Sequence, residues 1–302
     1  MSMGGRVGAG NIVGVTGAIS IGGPGAIFWM GGAAVLGMST SFAEGTLAQI
    51  YKERKGDEYV GGFTFYTQKL WRNKVWVGTA MCVLYLIYNL MSIPVHTFHV
   101  FTSMSTIMDT ALNRTTDVTE PVYYVVAVVI IVVIAIIAFG GIKKAVGFAD
   151  AAVPTMALIY IAVAVLLMVA NITKLPAFFV AIFTQAFKPQ SIFGGTFGIA
   201  LAQGLKRGLL SNEAGMGSAT QAAAVSDQDH PCEQGIMQSI GVFIDTVVIC
   251  TLTGFIVAGG AIWENPNIDW SSIKYNKMAT FVASIRELTP GTALDSIVVI
   301  VV

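Results

Sequence analysis

Charge is what this sequence has least of. Only 11% of its 302 residues are Asp, Glu, Lys or Arg, where soluble domains carry about a quarter. Val75 to Thr106 and Pro121 to Ile142 contain none of the four. A water-soluble enzyme cannot cover its surface with what is left, and a disordered chain or a nucleic-acid binder is excluded by the same shortage. Histidine is nearly as scarce (His96, His99, His230), and so is cysteine (Cys82, Cys232, Cys250). With no HExxH, no CxxC and no disulfide framework, zinc and redox chemistry have no foothold, and the cysteines read as buried thiols. Met1 to Gly10 is glycine-rich and lacks the apolar core of a cleavable signal peptide.

What is present is apolar: 55% hydrophobic residues and a mean hydropathy of +0.72. A helix needs about 20 apolar residues to cross a bilayer core. Segments of about that length fall at Pro24–Ile50, Val75–Ser103, Pro121–Phe139, Val146–Asn171, Ile192–Val225 and Glu233–Trp263, with another beginning near Gly291. The chain is therefore expected to be an all-α, polytopic membrane protein. Gly8 to Ile21 is about half a span and Ser296 to Val302 is shorter still, so a fragment of a longer transporter-like chain is expected, with helices missing on both sides. Lys52, Arg54, Lys55, Lys69, Arg72 and Lys74 gather in one loop and Lys143 and Lys144 in another. Such basic loops face the cytoplasm. That leaves Ser103–Glu120 and Asn171–Gln190 as outer loops, each with an Asn-x-Thr sequon (Asn113, Asn171).

Two stretches combine helix-breaking glycines with polar residues at membrane depth. One is Gly8-Ala9-Gly10-Asn11, continued by Gly14, Gly17, Gly22 and Gly23. The other runs from Gly204 through Ser211-Asn212-Glu213 to Ser218. A helix interrupted in mid-membrane exposes N–H groups on one half and C=O groups on the other. The first suit a carboxylate and the second a hard cation. A zwitterionic amino acid with sodium fits that pairing, and paired broken helices are where inverted-repeat transporters bind cargo. Gly10/Gly14 and Gly194/Gly198 equally satisfy the small-xxx-small spacing of close helix packing. Glu213 is harder to assign to packing, because an uncompensated intramembrane acid is costly. Arg207 is its expected ion-pair partner, the alternative being that Lys206 and Arg207 snorkel to an interface. Glu44 and Asp245 are further embedded acids, open to a role as cation or proton relay or as helix–helix hydrogen bonds. Asp150 lies near a helix start, where an acid is ordinary. His96 and His99 share a helix face beyond Pro94; one ring is expected toward a cavity and the other in a structural hydrogen bond.

These residues carry a family resemblance. Gly8-Ala9-Gly10-Asn11-Ile12-Val13-Gly14-Val15 with Gly22-Gly23-Pro24-Gly25-Ala26-Ile27-Phe28-Trp29-Met30, and Arg207-Gly208-Leu209-Leu210-Ser211-Asn212-Glu213-Ala214-Gly215-Met216-Gly217-Ser218-Ala219, resemble the first and second motif blocks of the sodium:alanine (alanine/glycine:cation) symporters. His230-Pro231, Gln234-Gly235 and Gly241-Val242-Phe243-Ile244-Asp245-Thr246 resemble the family's sequence C-terminal to the second block. The resemblance implies a LeuT-like helical bundle of inverted repeats, with helices one and six broken and the bundle partial. Residues 1–302 would form one transporter domain, 1–171 the first repeat without its start and 172–302 the first part of the second. It also implies sodium-coupled symport of a small neutral amino acid, alanine or glycine, across the plasma membrane. Sodium is then the co-transported ion, with no organic cofactor and no nucleic-acid partner. By the same resemblance the substrate carboxylate meets the backbone at Ala9, Gly10 and Asn11. Ser211, Asn212 and Gly215 hold its other end, His96 and Thr97 face it from the third helix, and sodium uses carbonyls near Gly8 and Asn11. Two positions depart from the family pattern: Ala9 stands where Thr is usual, and His96 where many members carry Gln. A divalent-metal or proton-coupled carrier would instead show Asp, Met and His at the breaks. An intramembrane enzyme would need facing Ser/Lys, Asp/Asp or zinc groups. A non-transporting remnant is the fourth reading.

Overall fold

Residues 6–56, 58–112, 121–139, 142–187, 198–264 and 277–289 are described by the computed structural model. After α1 (Ala9–Gly22) and α2 (Gly25–Ile50) comes a short hairpin of β1 (Glu53–Lys55) and β2 (Glu58–Val60), antiparallel with Arg54 opposite Tyr59. Then come α3 (Phe63–Leu70), α4 (Val75–Leu112), α5 (Pro121–Phe139), α6 (Ile142–Ala170), a 3-10 turn (Ile172–Lys174) and α7 (Leu175–Ala186). The second half has α8 (Ile199–Asn212), α9 (Ser218–Val225), α10 (Pro231–Val242), a π-helical segment (Phe243–Ile249), α11 (Cys250–Glu264) and α12 (Lys277–Leu288). Four helical stretches among the described residues are long and apolar enough to cross a membrane: Gly25–Ile50, Val75–Met108, Gly147–Ala170 and Pro231–Gly259.

The spans expected from the sequence mostly hold, with two corrections. Asn171–Gln190, expected as an outer loop, contains α7. Its 12 residues are too few to span, so the length rule passes over them, but Phe178 and Ile182 are buried and Phe178 meets Phe255 edge-on at 5.4 Å. Ser103–Glu120 is likewise expected as a loop, yet α4 runs on to Leu112. There Ser103 and Thr106 donate their hydroxyls to the carbonyls of His99 (2.8 Å) and Thr102 (2.7 Å), which lets polar residues stay helical. Ile192–Val225, expected as one interrupted segment, holds two helices, α8 and α9, separated by residues 213–217. The expected segment at Gly291 and the sequon at Asn113 lie outside the described residues.

The helix α2 is the hub. It packs against α10, α8, α9, α7 and α1, and it can do so because Gly25, Ala33, Gly37, Ser41 and Gly45 recur along one face. Membrane helices associate through such close backbone approach, since lipid offers no hydrophobic drive between them. The facing glycines are Gly204 and Gly208 of α8. A Cβ on Gly204 would lie 2.5 Å from the Ala26 carbonyl oxygen, and one on Gly208 would lie 2.8 Å from the Ala33 Cβ. Gly10 and Gly14, candidates for this role from spacing alone, have nothing within 4 Å of a built Cβ, and Gly194 lies outside the described residues. Gly204→Val is therefore expected to lower stability by at least about 1–3 kcal/mol, since the backbone it meets cannot turn aside. Thermal unfolding of the purified full-length protein reads this, and a wild-type midpoint would show the interface to be looser than drawn. A second layer, α1 with α11 and α12, buries Ile12, Val15, Ile19, Phe255, Ile256, Phe281 and Ile285.

Candidate functional site

Three helix irregularities meet in one place: the start of α1, the end of α8 and the π-helical segment. Asn11 lies in the first turn of α1, Ser211 in the last turn of α8, and Asp245 inside the π-helical segment between α10 and α11. Asp245 is fully buried and accepts three hydrogen bonds: from Asn11 Nδ2 (2.5 Å), Ser211 Oγ (2.6 Å) and Thr246 Oγ1 (3.0 Å). Asn11 Oδ1 is 3.3 Å from Ser211 Oγ, so the one Ser211 proton goes to the nearer carboxylate. The cluster thus offers five side-chain oxygens, the donor type a hard cation takes. The extra residue of a π-bulge swings its side chain out of register with the helix, and such bulges are frequent at functional sites.

Asn11 also borders a cavity of about 450 Å³, together with Val7, Gly8, Ile12, Tyr160 and Phe281. The walls come from α1, α4, α6, α12 and the π-helical segment, and are largely apolar. No side chain caps the N-terminus of α1, whose preceding residue is Gly8 in extended conformation. The N–H groups of Ala9 and Gly10 are consequently left for a ligand, that of Asn11 being taken by the Gly8 carbonyl (3.0 Å).

The interruption of the sixth expected helix is braced by two buried charges. Arg6 donates to the Asn212 carbonyl at the C-terminal end of α8 (2.8 Å), to Gln238 Oε1 (2.7 Å) and to Ser41 Oγ (2.9 Å). Glu44, on α2, accepts the N–H groups of Gly215 (3.0 Å) and Gly217 (3.2 Å) just before α9. A cation at a helix C-terminus and an anion at an N-terminus each oppose the local dipole charge. Gly215 and Gly217 have φ of 84° and 78°, values that favour glycine, and Glu213 joins them at 52° while its carboxylate accepts from Ser218 Oγ (2.6 Å). On α3, outside the spans, burial and then the Glu44 carboxylate push the Tyr66 phenol up to about 12.

The expected site residues divide accordingly. Gly8, Asn11 and Ser211 converge. Gly10 is in the first turn of α1, and of Ala9 only the backbone is described. Asn212 does not join Ser211, because neighbours on a helix point about 100° apart. It is fully buried against α2, with Oδ1 accepting the Ala214 N–H (3.0 Å). Gly215 likewise belongs to the Glu44 brace. His96 is exposed on α4 and the Thr97 hydroxyl is taken by the Ile93 carbonyl (2.9 Å), so neither reaches the cluster. Arg207 and Glu213 do not pair. Six residues apart along a helix they point to different sides, Glu213 turns to Ser218, and Arg207 Nε has no partner among the described residues. Arg6 is hidden in a glycine-rich stretch too short to read as a span. Glu44 and Asp245 are visible in the sequence as embedded acids, but nothing in their spacing ties them to the breaks.

The family model described as "Sodium:alanine symporter family" matches residues 1–300. The "Amino-acid carrier protein AlsT" of Bacillus subtilis (strain 168) is 42% identical over 253 residues, 83% of this chain and 52% of its own length. The "Probable sodium/glutamine symporter GlnT" of the same organism is 39% identical over 285 residues, 94% of this chain and 57% of its own. The "Sodium/proton-dependent alanine carrier protein" of Bacillus sp. (strain PS3) is 33% identical over 258 residues, covering 85% and 55%. The chain spans about half the length of the curated relatives it matches. They are named as carriers and symporters, not enzymes. With its four apolar spans and a family match along nearly its whole length, this multi-pass membrane protein belongs to the sodium:alanine symporter family.

Proposed function

We propose that the protein is a cation-coupled amino-acid symporter of the plasma membrane, working by alternating access, with sodium as the ion and a small neutral amino acid as the cargo. The observation that carries this reading is the buried Asp245–Asn11–Ser211–Thr246 cluster beside an apolar cavity at the open N-terminus of α1. The N–H groups of Ala9 and Gly10, in the first turn of α1, receive the substrate carboxylate. The five oxygens of the cluster hold the cation, with Asn11 bordering both ligands. The Gly8 carbonyl, already accepting the Asn11 N–H (3.0 Å), keeps one lone pair for the ion. Because the two ligands share Asn11, each stabilises the conformation that binds the other, which is the energetic basis of coupling. In this reading residues 1–171 belong to one repeat of a LeuT-like bundle and 172–302 to its inverted counterpart.

A relative named for glutamine widens the cargo to test. Labelled alanine, glycine and glutamine are offered to proteoliposomes of the full-length protein, with and without an inward sodium gradient. Gradient-driven accumulation of alanine or glycine is the expected result. Accumulation of glutamine alone would move the cargo, and uptake indifferent to sodium but driven by a pH gradient would move the ion to a proton on Asp245.

A further inference from the structure

A second group of polar side chains lies outside both the Asp245 cluster and the cavity lining. His99 lies on α4 one turn before Ser103, and Lys277 lies on α12 one turn before Phe281; both Ser103 and Phe281 line the cavity. Arg207 projects from α8, which packs on α1. His99 lies in the field of His96 first, then of Lys277 and Arg207, and Lys277 in that of Arg207 and Lys206. No carboxylate among the described residues counters them. His99 Nδ1 and Arg207 Nε are both buried and have no hydrogen-bond partner among the described residues. A buried donor left unpaired is costly, and a charged one more so.

The group also has a route to the site. Lys277 Nζ lies 3.1 Å from where a Cβ on Gly17 would stand. Gly10 and Gly14 share that face of α1, at spacings of seven and three residues from Gly17, and a Cβ on either would meet nothing within 4 Å. Among the described residues, that face of α1 is thus unobstructed at Gly14 and Gly10, between the basic group and the N–H groups of Ala9 and Gly10. On the orientation set by the basic loops, α4 reaches His99 in its outer half. Bases there run against the cytoplasmic bias of Lys and Arg, so topology does not account for them.

We propose that Arg207, His99 and Lys277 form a carboxylate-binding subsite on the outer approach to the cavity, which takes the carboxylate of the incoming amino acid before it passes to the N-terminus of α1. Arg207 and Lys277 supply charge-assisted donors, and His99 donates from Nδ1 as the neutral tautomer that carries its proton there. The subsite rests on the symport reading for the identity of its ligand, though not for its preference for a carboxylate.

Two readouts on the full-length protein separate the two claims. In proteoliposomes, Arg207→Gln and Lys277→Gln are expected to raise the KM for labelled alanine about fivefold or more with Vmax held, the loss of one charge-assisted hydrogen bond. Arg207→Lys, which keeps the charge, recovers part of the loss. In detergent, without transport, sodium acetate is expected to raise the unfolding midpoint of the wild type by about 2 °C or more. Sodium chloride at equal concentration does not, and the shift is at least halved in both Gln variants, the remainder being acetate at the N-terminus of α1. An unchanged KM with no acetate effect overturns the subsite, as does a loss that Arg207→Lys shares in full. Equal protection by chloride overturns the carboxylate assignment. A wild type that imports none of the amino acids yet keeps a variant-sensitive acetate shift supports the subsite and removes the symport reading instead.

Discussion

Asp245→Asn is expected to move the sodium dependence of uptake to much higher concentration while leaving the purified protein folded. The substitution keeps size and one acceptor oxygen, so Ser211 and Thr246 still find a partner, and the π-helical segment has no steric reason to rearrange. What goes is the negative charge. The Asn11 amide, now 2.5 Å from a carboxylate oxygen, loses a charged acceptor; such a bond contributes about 1.5–3 kcal/mol. A cation loses more, because the remaining oxygens of Asn11, Ser211 and Thr246 are neutral dipoles. The sodium dependence of uptake should move out by at least about tenfold, the factor that corresponds to 1.4 kcal/mol, with a monodisperse elution profile and an unfolding midpoint lowered by only a few degrees. Wild-type sodium dependence in this variant would reduce Asp245 to a link between α1, α8 and the π-helical segment. Uptake that survives but no longer responds to a pH gradient would identify the lost function as proton carriage.

Glu44→Ala should be the most damaging single change in the brace, and its effect should appear in stability as well as transport. Its carboxylate satisfies two buried N–H groups, those of Gly215 and Gly217, in a stretch where three of five residues have positive φ. Removal leaves both amides unpaired, at about 1–3 kcal/mol each. It also leaves Arg6 without one of the three acids whose field it shares, the others being Glu213 and Asp245. Loss of uptake together with a midpoint lowered by several degrees is the expected result. Glu44→Gln keeps one acceptor oxygen and should restore part of the stability but little of the transport, if the charge itself holds α9 to α8. Glu44→Ala with a native midpoint and native uptake would mean that the interruption between α8 and α9 is held by α2 packing alone.

The legible part of the site is its outline. Glycines beside Asn at two places mark helix ends whatever surrounds them, because glycine accepts backbone that other residues avoid. Asn11 and Ser211 are accordingly readable from local sequence. Asn212 and Gly215 look equally suited to the same ligand, but only the rotation of α8 and the turn after it show that they face α2 and Glu44. Resemblance to a pair of family residues favours His96 over His99, whereas the rotation of α4 exposes His96 and buries the Nδ1 of His99. An Arg207–Glu213 pair is suggested by proximity along the chain; at six residues the two side chains diverge.

The sequence by itself determined that this is a membrane protein, roughly which segments cross, that the stretch around Ser211 to Ser218 is interrupted, and which family motif marks that interruption. All of that comes from composition and local chemistry: runs of apolar residues partition into lipid, and glycine with polar neighbours ends a helix. Only the tertiary structure decided which charges serve the helix irregularities. Arg6 is 206 residues from the carbonyl it caps, Glu44 is 171 from Gly215, and Asn11 is 234 from Asp245. No periodicity links residues so far apart. Their pairing is imposed by the desolvation of each charge, which in hydrocarbon must find a partner wherever helix packing brings one, and the small residues of α2 and α8 set that packing.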